Sequence, residues 1–332
     1  MRRSFSRFSP LFSKSSKSSS PRKFPSTGFE LIDQSEKVEE ERLPHYNRDE
    51  YYPMKTGDVI HGHYQAVAKL GYGTTSTVWL SHNLWDQQYW VMKVHTSTSK
   101  YNHELVIYQH LANHTEDHPG RKHVQEFHTS FTLKGPKGDH GVFVMAPLGM
   151  SLRSLQEIQR TGIFQEELVN VHSDNLLIGI VDKSVFSAVE ENEIQKPSPR
   201  KVIDDTVIQA SQYMLGGKGP LILCDLGQAR IVSDSSEQRG NAMPMPYRAP
   251  EVILNMLWGK SVDAWSTGLL AWDLLKGESL FKVYSHESKE LNYAHHLAAI
   301  TALIGPPPPE LVQTAKSRVN TGTKTARTPL YD

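Results

Sequence analysis

Between Tyr64 and Val94, apolar and β-branched residues fall in three short blocks, Tyr64–Leu70, Ser76–His82 and Gln88–Val94. Blocks of this length bounded by turn residues predict strands, with the turns at Gly71–Thr75 and Asn83–Asp86. The period then changes: Leu105, Tyr108 and Leu111 recur at helical spacing and predict a helix over Tyr101–Leu111. Two further strands are expected at Val124–Leu133 and Gly141–Pro147. Beyond Gly149 the pattern is helical, over Ser151–Gln159, a short Phe164–Val169 and a strongly apolar Ser261–Leu275. Strands first and helices after predict an α+β fold with a small β-rich lobe and a larger helical lobe, joined near Ala146–Gly149. No internal repeat is visible.

Composition narrows the function classes. The chain has 332 residues, enough for one or two cores, and its 36 basic residues balance 36 acidic ones. No global field therefore points to nucleic acid or a membrane surface. The longest apolar run, near Gly268–Leu275, is interrupted by Asp273 and is too short to span a bilayer. Cys224 is the only cysteine, which excludes an internal disulfide and a cysteine-ligated metal and fits a reducing compartment, cytoplasm or nucleus. Residues 1–23 hold Arg2, Arg3, Arg7, Lys14, Lys17, Arg22 and Lys23 with many serines and no acid. A disordered, phosphorylatable tail is the favoured reading there and a mitochondrial presequence the alternative. An acidic linker (Glu36, Glu39, Glu40, Glu41) follows, so residues 1–45 are expected to be tail and linker.

The chemistry begins with the turn Leu70-Gly71-Tyr72-Gly73-Thr74-Thr75-Ser76-Thr77-Val78. Glycines there let backbone amides approach phosphate oxygens. Ser76 stands where a third glycine would complete the G-x-G-x-x-G pattern, and a plain hairpin is the bland alternative. The turn lies between two strands and not before a helix, which argues for a phosphate cover over a dinucleotide fold. Twenty residues after Gly73, Lys93 sits in the apolar strand Tyr89–Val94, where a cation needs anionic partners. Phosphate oxygens and Glu104 on the next helix would supply them. Farther on, Leu221-Ile222-Leu223-Cys224-Asp225-Leu226-Gly227 places a carboxylate directly after a strand, as a magnesium ligand would be placed. Tyr247-Arg248-Ala249-Pro250-Glu251 and Ser261-Val262-Asp263-Ala264-Trp265-Ser266-Thr267-Gly268 follow in order.

In order and spacing these motifs resemble the eukaryotic protein kinases, and in particular the fungal members of the SR-protein-kinase family. The resemblance rests on Leu70-Gly71-Tyr72-Gly73, Ser76-Thr77-Val78-Trp79-Leu80, Tyr51-Tyr52-Pro53 with Gly57-Asp58, Asp225-Leu226-Gly227 and Pro147-Leu148-Gly149, and runs from about residue 42 to Leu311. It implies a kinase N-lobe over 46–148 and a C-lobe over 149–313, followed by a divergent tail at 314–332. It implies ATP and Mg2+ as cofactors and phosphorylation of serine or threonine in Arg/Ser-rich proteins. Leu70, Gly71, Tyr72, Gly73, Ser76 and Val78 would cover the nucleotide, Lys93 and Glu104 would hold its phosphates, and the Leu148 backbone would meet adenine behind the gatekeeper Met145. Asn175 and Asp225 would bind metal. Ser184–Gly219 is similar to the insert that fungal relatives place before the metal aspartate.

The resemblance fails at one place. The family's catalytic loop reads H-x-D-x-x-x-x-N, whereas here Leu168-Val169-Asn170-Val171-His172-Ser173-Asp174-Asn175 puts Asp174 directly beside Asn175. Asp174 is the nearby residue that could serve as catalytic base. Either four residues are lost after His172-Ser173-Asp174, or the H-x-D and much of the helix before it are missing, the preferred alignment. The C-lobe is also expected to lack late helices and the arginine that pairs with Glu251, leaving a buried carboxylate without a partner. The leading expectation is an SR-protein-kinase-like enzyme of weak activity. The rivals are a pseudokinase that binds nucleotide or partners as a scaffold, and an unstable truncated product. Among lesser features, His295-His296 is read as a surface pair, Ser233, Ser235 and Ser236 as a solvated turn, and Pro306–Pro309 as a helix stop.

Overall fold

The strands predicted from Tyr64 onward belong to one antiparallel sheet in the computed structural model. It contains β1 (Val59–Ile60), β2 (Tyr64–Gly73), β3 (Ser76–Asn83), β4 (Tyr89–His95), β5 (Phe127–Lys134) and β6 (Asp139–Met145), in the order β1-β2-β3-β4-β6-β5. A three-stranded sheet has the order β11-β8-β7, from β7 (Leu148–Ser151), β8 (Leu176–Gly179) and β11 (Leu221–Leu223), and β9 (Arg200–Ile203) pairs with β10 (Thr206–Gln209). The helices are α1 (Asn102–Asn113), α2 (Leu152–Ile158), α3 (Ser184–Gln195), α4 (Pro250–Ile253), α5 (Ser261–Lys276) and α6 (Lys289–Ile304). The structure describes residues 19–100, 102–113, 118–158, 175–204, 206–212, 214, 217–231, 238–276, 279–282 and 289–313.

The chain divides into two compact units. The first comprises Met1–Lys100, Glu126–Pro147 and Asp182–Met214. Its core on one side of the sheet is Met54, Ile60, Tyr64, Ala66, Trp79, Met92, Val94, Val142 and Val144. The first six residues of β2 are all buried, so the strand is covered on both faces, and α3 packs along it. Polar β2 side chains take their partners from the N-terminal segment. Gln65 accepts from the Arg22 amide (2.8 Å) and donates to the Arg22 carbonyl (2.8 Å), and Lys69 is bonded to Glu40.

The second unit comprises Tyr101–Gln125, Leu148–Val181 and Leu215–Asp332. α5 is helical because Val262, Leu269, Leu270 and Leu274 recur on one side; Leu270 and Leu274 pack with Leu152 and Leu176, Leu269 with Ile253 and Ile300, and Val262 with Ala249, Val252 and Trp258. Asp273, which breaks the apolar run in sequence, accepts from the Tyr247 hydroxyl (2.6 Å), the Ser279 hydroxyl (3.2 Å) and the Leu280 amide (3.3 Å). Gly305 (φ 92°) closes α6 and donates to the Thr301 carbonyl, and the prolines follow it, the helix stop expected there. No described helix is long and apolar enough to cross a membrane.

Three readings need correction. Within 1–45, expected as tail and linker, residues from Ser19 onward hold defined positions in the first unit: Ile32 donates to the Arg200 carbonyl (3.0 Å) and Glu39–Arg42 forms a 3-10 turn. The acids that made this stretch read as solvated are paired with lysines far away in sequence. The insert, expected within the C-lobe, belongs up to Met214 to the first unit. Helix α1 agrees with the expected helix and buries Glu104, Ile107 and Tyr108, with Leu111 exposed. His295 is exposed as expected, but His296 is fully buried beside Phe281, with neither ring nitrogen bonded among the described residues.

Burial, reinforced by the positive charge of Arg248, lowers the His296 pKa to about 4. The unfolded chain, with an ordinary value near 6.5, binds this proton first as the pH falls. The contribution is therefore complete above 6.5 and is lost progressively towards 4, by up to about 3 kcal/mol. Urea denaturation across that range should show the wild type losing stability relative to His296→Leu; parallel pH profiles would contradict it.

Candidate functional site

The glycine turn is the tip of the β2–β3 hairpin. Gly73 pairs with Ser76, Tyr72 with Thr77 and Gly71 with Val78, and a bulge between Lys69 and Gly71 interrupts the ladder just below. Neither Gly71 nor Gly73 has a positive φ, and a Cβ added to either would meet no heavy atom within 4 Å, as is also so at Gly259 and Gly268 among the described glycines. Several other glycines are explained inside the chain: a Cβ on Gly179 would lie 3.0 Å from the Pro220 carbonyl oxygen, and one on Gly217 2.6 Å from Ile178. At Gly71 and Gly73 neither backbone conformation nor internal packing demands glycine, so bare backbone facing open space is what the residue choice provides.

Lys93 lies on β4, opposite Val78 on one side and Phe143 on the other. The register thus brings Gly71, Val78 and Lys93 into one row across three strands. Ser76 is buried at the hairpin end, opposite His95. Met145 is buried at the end of β6.

In the second unit, β8 and β11 place Asn175 beside Cys224. The Asn175 carbonyl accepts from the Cys224 amide at 2.9 Å and from its thiol at 3.3 Å. Asp225 follows immediately, exposed and left-handed (φ 54°), with its carboxylate accepting from the Gly227 amide at 3.4 Å. Helix α1 lies against this turn. The His103 ring is 2.6 Å from the Ala229 carbonyl, and a Cβ on Gly227 would come 3.3 Å from Asp225 Oδ1 and 3.8 Å from Glu104 Oε2. Burial first, then Glu104, Cys224 and Asp225, push the Tyr108 phenol upward. The Glu104 and Asp225 carboxylates thus lie near one another on this turn. The described residues hold no cluster of three or more metal-ligating side chains. Two hard oxygen donors, from Asn175 and Asp225, fit Mg2+, which keeps waters and takes phosphate oxygens as its other ligands.

The structure thus groups Leu70, Gly71, Tyr72, Gly73, Ser76, Val78 and Lys93 in the first unit, and Glu104, Leu148, Asn175 and Asp225 in the second. Leu148 opens β7, paired with Gly179 and packed with Ile222 and Cys224. Asp174, with the rest of 159–174, lies outside the described residues, as do Ser233, Ser235 and Ser236. Glu251 differs from expectation: its carboxylate is half-buried and takes the Ser261 hydroxyl at 3.4 Å. Sequence reasoning missed that Tyr51 donates to the Gly73 carbonyl at 3.0 Å. Tyr51-Tyr52-Pro53 carries the family resemblance but no sign of that bond.

Known proteins show the same organisation. The family model for the protein kinase domain matches residues 208–325. A serine/threonine protein kinase of Aspergillus fumigatus is 34% identical over 87% of this chain and 77% of its own length. The serine/threonine-protein kinase SRPK of Physarum polycephalum is 25% identical over 80% of this chain and 72% of its own. AFC1 of Arabidopsis thaliana is 26% identical over 82% and 58%. A crystal structure of a kinase domain superposes with a TM-score of 0.60, covering 83% of this chain and 80% of the other at 22% identity, a likeness of fold.

Asparagine tolerates the left-handed region and can still accept from Gly227, whereas a β-branched residue does neither. Asp225→Asn should therefore leave the chemical denaturation midpoint unchanged within about 0.5 kcal/mol, and Asp225→Val should cost about 1–2 kcal/mol. Equal losses would show that the turn does not depend on this conformation.

Proposed function

This chain belongs to the serine/threonine protein kinase family, with SR-protein-kinase-like relatives, and we propose that it binds ATP–Mg and phosphorylates serine in Arg/Ser-rich proteins at a low rate. The observation that carries the nucleotide reading is that Gly71 and Gly73, required by neither backbone conformation nor packing, stand together at the tip of the β2–β3 hairpin, with Gly71 in one row with Lys93. Backbone amides of the hairpin would cover the phosphates under Leu70, Tyr72, Ser76 and Val78, and Lys93 would neutralise them. Glu104 would orient Lys93, and the Leu148 backbone would receive the adenine edge. Asn175 and Asp225 would hold Mg2+, which supplies charge neutralisation between the phosphates.

The proposed low rate comes from Asp174. Kinase catalysis is positioning and electrostatics, and the substrate hydroxyl must lie within about 3 Å of the accepting carboxylate. In an extended segment adjacent side chains point to opposite faces, so on the sequence adjacency alone an Asn175 turned to metal would set Asp174 the other way. Nucleotide binding then outlasts efficient transfer, and the same observation favours the second reading, a nucleotide-binding scaffold without turnover.

Calorimetric titration with ATP–Mg should give binding by the wild type and a loss of about 1–3 kcal/mol in Lys93→Ala. Equal affinities would remove Lys93 from the site. On an Arg/Ser-repeat peptide, radiometric transfer should be weak and should rise when an H-x-D loop with its preceding helix is inserted before Asn175. Full activity without the insertion, abolished by Asp174→Ala, would overturn the low-rate proposal; transfer undetectable in the wild type would leave the scaffold reading.

A further inference from the structure

Glycine leaves a phosphate-covering hairpin open to a ligand but also leaves it floppy, since each glycine loses more conformational freedom on ordering than any other residue. The hairpin here is anchored at both ends by residues outside the sheet. At its base, the Lys69 ammonium, 1% exposed, is bonded to Glu40, lies 3.6 Å from Glu39 and sits 5.4 Å from the centre of the Tyr72 ring. The Lys69 carbonyl accepts from the Gln212 amide of the insert at 2.7 Å. Ser211, next to it, donates its amide and hydroxyl to the same Glu39. The insert, the acidic segment and the residue immediately before Leu70 thus share one network. Its outer edge is fixed by Lys201, which bridges Glu41 and the Glu36 carbonyl.

At the tip, Tyr51 donates its hydroxyl to the Gly73 carbonyl (3.0 Å). Burial first, then Glu40 and Glu50, push the Tyr51 phenol up to about 12, so it keeps the proton it donates. Tyr51 is itself held, because the preceding Glu50 accepts from the Ser97 amide (2.9 Å) and the Thr98 hydroxyl (2.7 Å) just past β4. The neighbouring Thr75 carbonyl accepts from Thr96 (2.9 Å). All of these residues lie within the first unit.

We propose that Tyr51 and the Glu40–Lys69 pair are positioning residues for the glycine-rich hairpin, through which the N-terminal segment and the insert set its affinity for the phosphate chain of a nucleotide. The proposal rests on reading that hairpin as the phosphate cover. Tyr51 touches the hairpin only through Gly73, and Glu40 through Lys69, so both act on phosphate indirectly. Neither has a means of favouring the nucleoside end. The mark of this role is a loss confined to the phosphate-bearing ligand.

The test uses the full chain with Tyr51→Phe, which removes one oxygen and keeps the ring beside Tyr46, and with Glu40→Gln as a second variant. Without nucleotide, amide hydrogen exchange should quicken about three- to tenfold over Leu70–Thr77, while Val91–Val94 and Val142–Met145 stay as they were. Calorimetry should show ATP–Mg affinity falling about three- to tenfold and adenosine affinity unchanged. Unchanged exchange at the hairpin in both variants would overturn the anchoring, whatever the nucleotide result. Equal losses for ATP and adenosine would overturn the positioning role in favour of general destabilisation. A wild type that binds no ATP would overturn the phosphate-cover reading and its affinity consequence, with the exchange result still deciding whether the anchors hold the hairpin.

Discussion

An ammonium taken out of water costs several kcal/mol unless carboxylates replace its hydration shell. Lys69, almost completely enclosed within β2, imposes that requirement on the first unit. Its neighbours in the sheet are apolar or already paired, so the carboxylates come from a segment some thirty residues earlier in the chain, and Glu39 and Glu40 are drawn into the interior. Once Glu39 is there it is also satisfied by Ser211, and Glu41 by Lys201. A second buried carboxylate, Glu193, is enclosed by Ser198, Arg200, Gln209 and Gln212 in the same insert. The N-terminal segment and the insert are held on the sheet by charges that neither could bury alone.

This explains what was readable in the sequence and what was not. Local signals sufficed for β2, β3, β4 and α5, because their patterns are periodic and their turns carry glycine, asparagine or aspartate. The ordered stretch after Ser19 was unreadable because an acidic, serine-bearing composition describes a solvated linker equally well. Only the three-dimensional approach of Lys69 and Lys201 distinguishes the two. Helix α1 was legible from the spacing of Leu105, Tyr108 and Leu111, and the burial of Glu104 on it agrees with a carboxylate that has a role inside. His296 failed in the same direction as the acidic stretch: a polar residue in a mixed helix reads as surface, and its burial is decided by Phe281 and its neighbours.

The candidate site was legible for a different reason. Gly71, Gly73, Lys93 and Asp225 were picked out by spacing, and β pairing sets Gly71 and Lys93 in one row across Val78 while β8 and β11 set Cys224, the residue before Asp225, beside Asn175. Motif reasoning names residues whose type and spacing suit a ligand, here a phosphate. It is silent on those that hold such residues still, because a tyrosine hydroxyl on a backbone carbonyl leaves no pattern in sequence.

The first unit is assembled from three separated pieces of chain, the last of them ending at Met214. During synthesis β1 through β6 emerge well before α3, β9 and β10, which enclose the polar side of β2. The nascent sheet must therefore exist for a time with Lys201 and Glu193 still to come, its β2 flank open to water and to other chains. A ribosome adds about 5–20 residues per second, so the roughly seventy residues between β6 and Met214 correspond to several seconds of such exposure. In the cell, demand for chaperone protection would fall on this interval of translation, before the last stretch of the second unit, Leu215–Asp332, has been made.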